Sequence, residues 1–476
     1  MHLGLDIGTS GVKAVLLDDQ QVLVGQASAS LSVQRPAPGF SEQDPQAWID
    51  ACAEVMDQLD LTRLVSIGLS GQMHGATLLD STDTVIRPCL LWNDTRAERQ
   101  AARLNAHPRV HELSGNWMFP GFTAPKLDWI REHQPADFDR VSKVLLPKAF
   151  VRLWLSGEYA SDVSDASGTG WLNVQDRQFS DELLALSGLE SYQMPRLVEG
   201  PHVSGQLREQ LCQRWGITGT VVIAGGAGDN AATACGLGVT SPGQGFVSLG
   251  TSGVLFTPTK TCLPAPHSAV HTFCHALPNR WHHMGVTLSA ADSLAWWSSV
   301  LNLTPAQAIA SLPAILDRPS RVTFLPYLGG ERTPHNDAQI RGHFSGLEHV
   351  TDTSDMTLAV LQGVAFSLRD CLDALNTAGS DVTRLTAAGG GAASALWLQI
   401  LADVLQRPID VPREAGSSAS VGAARLAGLA AGAWSEPLTA PLCARTFEPS
   451  PNLVDAWAHA FDDYQSLYQA NKADAP

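Results

Sequence analysis

The residues whose types and spacing most suggest chemistry form one short string written twice, Gly-Thr-Ser-Gly-Val, at Gly8 to Val12 and at Gly250 to Val254. Glycines let a tight turn aim several backbone N–H groups at one point, and Thr and Ser hydroxyls add donors, so such a turn can cradle phosphate oxygens. In the first copy Thr9 and Ser10 supply the hydroxyls, and Lys13 offers a point charge for a terminal phosphate. In the second, Gly250, Thr251 and Ser252 take the same places. A single loop of this kind is weak, because a turn with no ligand reads identically; two copies in matching settings are stronger. A third run, Gly389, Gly390 and Gly391, lies between an expected strand and an expected helix, where a nucleotide can approach the backbone closely. The chain has no G-x-x-x-x-G-K-[ST] string, which excludes a Walker-type loop as a nucleotide site.

Two carboxylates stand beside these loops. Asp6 closes an apolar strand, where an unpaired charge is expensive; it suits a magnesium ion that keeps most of its waters, or else a turn-stabilising role. Asp229 follows Gly225-Gly226-Ala227-Gly228 and opens a helical pattern, so it reads either as an N-cap or as a general base reached across the space the glycines leave. Gln72, Met73 and His74 on a strand-to-strand loop, with Trp92, Asn93 and Asp94 on a second segment, offer an indole, amides, an imidazole and carboxylate as a wall for a small polar ligand. A histidine bonded to backbone is the plainer reading of His74. His267, His271, His275, His282 and His283 with Cys274 would stack imidazoles on a helix, but Phe273, Pro278 and Asn279 favour a strand running into a turn, so no metal site is expected there.

The elements that must hold these groups can be read from periodicity. Leu3, Leu5 and Ile7 alternate before the first loop and Val12, Ala14 and Leu16 after it, as in a hairpin. Val247 and Leu249, then Val254 and Phe256, repeat the pattern around the second. Residues 65–80 read as strand, loop, strand, and 221–236 as strand, loop, helix. Leu361, Val364, Leu368, Cys371 or Leu372, and Leu375 recur at helical spacing, so a helix packed by one face is expected over about 356–377. A strand over 384–388 and a helix over about 393–405 should flank the triple glycine. The layout implies an α/β chain with two domains around a cleft, residues 1–240 and 241–476, divided at the turn-rich Ser241-Pro242-Gly243.

Bulk properties narrow the partners. At 476 residues the chain exceeds one ordinary core, and 44% apolar with 16% charged residues fits buried sheets covered by helices. A formal charge of -16 argues against nucleic acid or an anionic membrane as partner. Eight cysteines without a C-x-x-C pair indicate neither zinc nor a disulfide framework, and the N-terminus has no signal-peptide pattern, so a cytoplasmic location is expected. Composition and spacing leave a homodimer open.

Taken together these residues, with the strings SGQMHGATLLD, LLWNDTRA, FLPYLGGERTP and VHTFCHALP, resemble the FGGY carbohydrate kinases across nearly the whole chain. The resemblance implies two actin-like (ribonuclease H-like) domains flanking a deep catalytic cleft, in which ATP with Mg2+ phosphorylates the terminal hydroxyl of D-xylulose. It further implies Asp229 as catalytic base, Asp6 as the acidic residue of the first phosphate motif and the metal contact, and Met73 with His74 as the sugar-binding pair. The loop at 250–253 matches the second phosphate motif and Gly389 to Gly391 the adenosine motif. The segment GSSASVGAARLA at 416–427 departs from the family pattern, with serines where a glycine-proline start is expected near the adenine. Glycerol, L-ribulose or another polyol as acceptor, and an actin-like ATPase without a sugar, are the rival readings.

Overall fold

The computed structural model describes residues 1–413 and 416–472. Its frame is two seven-stranded sheets with the same central pattern. In the first, His2–Ile7 pairs antiparallel with Gly11–Leu17 on one side and parallel with Ser66–Gly71 on the other. In the second, Gln244–Leu249 pairs antiparallel with Gly253–Thr259 and parallel with Arg384–Ala388. Each Gly-Thr-Ser-Gly-Val string is thus the tip of the hairpin at the centre of its sheet. Gly8 N donates to Gly11 O at 3.0 Å and Gly250 N to Ser252 O at 3.1 Å, closing the two tips.

Alternation explains the burial. Leu3, Leu5 and Ile7 are fully buried, as are Phe246, Leu249, Leu255 and Phe256, and the strands interior to each sheet are covered on both faces, as parallel strands require. The helix Thr353–Thr377 starts three residues earlier than periodicity suggests, because Asp352 and Asp355 form a capping box. It is also buried on more than one side, not one, since Ala291–Val300, Ala395–Leu405 and the strand Trp281–Thr287 all pack around it. The helix after the triple glycine begins at Ala395, preceded by a 3-10 turn over Gly390–Ala393. The histidine stretch forms strands, His271–Cys274 and Trp281–Thr287, as the Phe, Pro and Asn residues suggest.

The division proposed at 240/241 falls between the two sheets, but the chain crosses it again. Helix Ser418–Ala430 leaves the second sheet and lies on the first, against the strands bearing Gly4 and Gly68. A Cβ on Gly4 would stand 1.9 Å from Ser420 O, and one on Gly68 1.8 Å from Ala423 O. The same helix packs against Asp229–Leu237, where Cβ atoms on Gly236 and Gly422 would each strike the opposite backbone. Arg425 Nη1 closes this pair by donating to Cys235 O at 3.0 Å and Gly236 O at 2.9 Å, placing a cation at a helix C-terminus. Small residues let the two helices touch backbone to backbone, so the first and second halves of the chain meet through them.

Candidate active site

Three parallel strands of the first sheet end side by side. Asp6 is in register with Ser70, and Ser70 with Ala227, so Asp6, Gln72 and Asp229 emerge together at the carboxyl ends, where open α/β sheets place ligands. Ser70 Oγ donates to Asp6 Oδ1 at 2.9 Å, and burial raises the Asp6 carboxyl above its usual range, against the opposing pull of Ser70 and Lys13. Among the described residues no backbone N–H donates to the Asp6 carboxylate. Asp229 is not the N-cap of its helix: Gly228 holds that place and Asp229 is the first helical residue. Its Oδ1 accepts from Asn230 N at 2.7 Å and Asn230 Nδ2 at 3.0 Å. Burial first, then the Asp6 charge, pushes the Asp229 pKa up to about 7. A half-buried carboxyl with that affinity is suited to exchanging a proton near neutral pH.

The glycines before Asp229 make room for it. Gly226 has φ +73 and a Cβ there would lie 2.1 Å from Leu69 O, while one on Gly228 would meet Met73 Sδ at 2.8 Å. Met73 is thereby packed directly against the residue preceding Asp229. His74, at φ +70, turns its ring onto Phe122 with centroids 4.6 Å apart. His74 Nδ1 lies 2.6 Å from Gly168 O, and since a carbonyl only accepts, Nδ1 carries the hydrogen. Burial lowers the His74 pKa to about 3, so the ring is neutral and Nε2 offers a lone pair. Gln72 Nε2 donates to Gln43 Oε1 at 2.9 Å, and Gln72 Oε1 accepts from Thr9 Oγ1 at 3.1 Å. Trp92 Nε1 in turn donates to Thr9 Oγ1 at 2.9 Å, so the first loop, Gln72 and Trp92 are one network. Asn93 Oδ1 is buried without a partner among the described residues and lines an open pocket of about 430 Å3 with Arg35, Phe40 and Ser41. Asp94 is spent on structure, accepting from Ser41 N at 2.7 Å and pairing with Arg96.

The phosphate-type loops fall into two groups. Thr9 is tied to Gln72 and Trp92, and Ser10 is exposed beside it. Lys13 Nζ donates to Gly416 O at 3.1 Å, joining the first hairpin to the segment that departs from the family pattern. The second loop docks on the start of Ala291–Val300 through Ala290 N to Thr251 O at 2.8 Å and Ala291 N to Gly250 O at 2.9 Å, which leaves Thr251 exposed. Gly389, at φ +81, abuts the strand end before that loop, since its Cβ would lie 2.7 Å from Leu249 O. Gly389 to Gly391 and Gly250 to Ser252 therefore share one corner. Among the described residues no group of three or more His, Cys, Asp or Glu could hold a metal ion, and no helix is long and apolar enough to cross a membrane.

Sequence reasoning missed the shell beneath this wall. Lys148 is fully buried, pairs with Asp162 and lies 3.0 Å from Asp165 Oδ2. Burial raises the Asp165 carboxyl to about 6, and its charge acts on Asp229. Lys126, also fully buried, donates to the carbonyls of His74 at 2.7 Å, Leu90 at 3.0 Å and Leu91 at 2.9 Å, tying the segment of His74 to the one before Trp92. Burial lowers its pKa to about 7. The available signal was a lone cation inside an apolar helical stretch, as Lys148 and Arg152 are in Pro147–Ser156, which demands a buried partner.

Against this geometry, known proteins align over the whole frame. The N-terminal domain of the FGGY family of carbohydrate kinases matches residues 1–236 and its C-terminal domain residues 245–431. A xylulose kinase of Escherichia coli is 45% identical over 90% of both chains. One from Bacillus subtilis is 32% identical over 99% of this chain and 97% of its own. A solved structure described as a "xyloylose kinase" from Brucella ovis superposes with a TM-score of 0.96 at 53% identity, covering 98% of this chain and 99% of that one. The paired hairpin tips, the two sheets and the two matched domains converge: this chain belongs to the FGGY family of carbohydrate kinases.

Proposed function

We propose that the protein transfers the terminal phosphoryl group of ATP to the terminal hydroxyl of D-xylulose, giving D-xylulose 5-phosphate and ADP. The observation that carries the chemical step is Asp229, a half-buried carboxyl with a pKa of about 7 at the carboxyl ends of the strands, next in the chain to Gly228, which packs against Met73. The acceptor rests on the relatives, whose name is xylulose kinase at 45% identity over 90% of the chain. In this reading Asp229 accepts the hydroxyl proton as the oxygen attacks. The neutral His74 accepts a hydrogen bond from the sugar at Nε2, while Gln72, Met73, Trp92 and Asn93 shape the wall. Thr9, Ser10 and Lys13 face the phosphates from one side and Gly250, Thr251 and Ser252 from the other; Gly389 to Gly391 lie along the nucleoside. Positioning of this kind supplies most of the rate in phosphoryl transfer.

Mg2+ fits the residues present. The Asp6 charge raises the cost of ionising Asp229 and burial that of Asp6, and a divalent cation between carboxylate and phosphate would relieve both; Asp6, with one oxygen already held by Ser70, would hold the ion. When bound, the ion neutralises charge on the phosphates. We place the enzyme in the cytoplasm, in keeping with eight cysteines that are all unpaired. An ADP-release assay across D-xylulose, L-ribulose, glycerol and no sugar tests the reading. D-xylulose should give the highest kcat/KM by at least about tenfold; a higher value for another acceptor, or ATP turnover without sugar, would overturn it.

A further inference from the structure

The string GGERTP singled out in the sequence puts a cation between the two halves of the chain that nothing above uses. Arg332 sits in the second half of the chain, half-buried, with its Cζ 4.6 Å from the ring centre of Phe119 in the first half. Its guanidinium has no carboxylate and no hydrogen-bond acceptor among the described residues. The adjacent Glu331 acts on it only through space. That carboxylate accepts from Leu288 N at 2.9 Å, Arg332 N at 2.7 Å and Ser367 Oγ at 3.1 Å, and so is turned into the second domain. The Arg332 charge is felt by His74 and His271 as well as by Glu331. Those two rings belong to one aromatic layer, in which Phe122 stacks on both and Phe119 packs edge-on to Phe122 and His271. An arginine with five donors, held near neutral imidazoles and left unpaired, is costly unless a ligand completes it.

We propose that Arg332 is a specificity-determining residue that donates hydrogen bonds from the second domain to the acceptor sugar oxygens lying against His74. The two groups are complementary. His74 Nε2 can only accept, so a sugar hydroxyl bound there points its hydrogen at the imidazole and keeps its lone pairs for the guanidinium. The remaining wall, Gln72 to His74 and Asp229, comes from the first half of the chain, so Arg332 makes sugar binding depend on both halves. The inference rests on the sugar lying against Met73 and His74.

The test is steady-state kinetics of Arg332→Met and Arg332→Lys with D-xylulose and ATP varied separately, alongside thermal midpoints. The Met variant should raise the KM for D-xylulose about 10- to 100-fold, the loss expected for a hydrogen bond to a charged group, with the KM for ATP changed less than about threefold. Lys, which keeps the charge without the fork, should fall between Met and wild type. An unchanged sugar KM in Arg332→Met overturns the proposal. So does a parallel rise in both KM values with a lowered thermal midpoint, which marks a structural residue; if Met fails to fold, the Lys variant carries the same comparison. A wild-type enzyme inactive on D-xylulose refutes the substrate reading instead, and is seen before any variant is measured.

Discussion

Asp229→Asn separates catalysis from stability because its two effects have opposite signs. The change removes a proton acceptor but keeps Oδ1, so the 2.7 Å bond from Asn230 N survives. Loss of a general base costs about 100- to 10,000-fold in rate, so kcat should fall at least 100-fold while D-xylulose still binds. Stability moves the other way. The folded pKa, about 7, lies above the ordinary 3.8, because burial and the Asp6 charge disfavour the ionised form. The native state therefore binds the proton more tightly than the unfolded state, and stability is lost as pH rises. The cost is absent below about pH 4, accumulates between about 4 and 7, and is complete above that. At about 1.4 kcal/mol per pH unit the interval corresponds to about 4 kcal/mol. Solvent at the open edge of the carboxyl and the Asn230 contacts reduce this to about 1–2 kcal/mol. The Asn variant should therefore melt a few degrees above wild type at pH 8, roughly 2–4 °C per kcal/mol, and coincide with it near pH 4.5. Differential scanning calorimetry across pH and an ADP-release assay measure both. A variant that turns over within tenfold of wild type, or is less stable at pH 8, refutes the assignment. Wild-type kcat/KM should rise with pH to a limb near 7, and a flat profile from pH 5.5 to 8 would contradict the base.

Other consequences are simpler. Lys148→Met strips the cation from Asp162 and Asp165, which are fully buried, and should destabilise by about 3–5 kcal/mol in chemical denaturation; a loss under 1 kcal/mol would show that the carboxylates find other partners. Gly68→Ala drives a Cβ to 1.8 Å from Ala423 O and should cost about 3 kcal/mol or undock helix Ser418–Ala430, seen as a lowered melting point; near-wild-type melting would mean the helix contact yields freely. His74 stays neutral above about pH 3, so the KM for sugar should show no step near 6.5, whereas His74→Ala should raise it about tenfold; a titration at 6.5 that disappears in the variant would place a charge on the ring that burial forbids. Chelation by EDTA should abolish turnover and added Mg2+ restore it, with Asp6→Asn needing more of the ion; activity that survives EDTA would remove the metal role of Asp6.

How much of this was legible depended on whether the cause was local. The hairpins around Gly8 and Gly250 are written in a period of two, which a strand imposes on its own residues, and so their limits were readable within a residue or two. Helix Thr353–Thr377 was readable as a helix but not as a doubly packed one, because periodicity reports the strongest face and is silent about neighbours that arrive from residues 291–300 and 395–405. For Asp229 the cap reading turned on one residue of register: Gly228 takes the cap and the Asp229 carboxylate accepts from Asn230. Spacing alone does not fix that register. The Lys148, Asp162 and Asp165 shell was hidden for another reason, since a buried cation announces that it needs a partner and not where the partner lies.

The clearest limit is helix Ser418–Ala430. In sequence its small residues, Ser420, Gly422, Ala423 and Ala424, show only a helix that departs from the family pattern. Their meaning lies in Gly4, Gly68 and Gly236, hundreds of residues away, whose missing side chains admit its backbone. The cost of a Cβ at any of these places is paid between the halves of the chain, so the helices Asp229–Leu237 and Ser418–Ala430 must move as one body with the first sheet. Asp229 opens one of these helices and Gly416, which receives Lys13, lies two residues before the other. Rotation of the second sheet about this pair would carry Gly250 to Ser252 and Arg332 toward or away from Asp229 without disturbing Asp6, Gln72 or His74. Scattering should therefore show compaction when sugar and nucleotide are both bound, while the first-domain wall keeps its geometry. An unchanged radius with both bound would mean that the second half already stands in its working position.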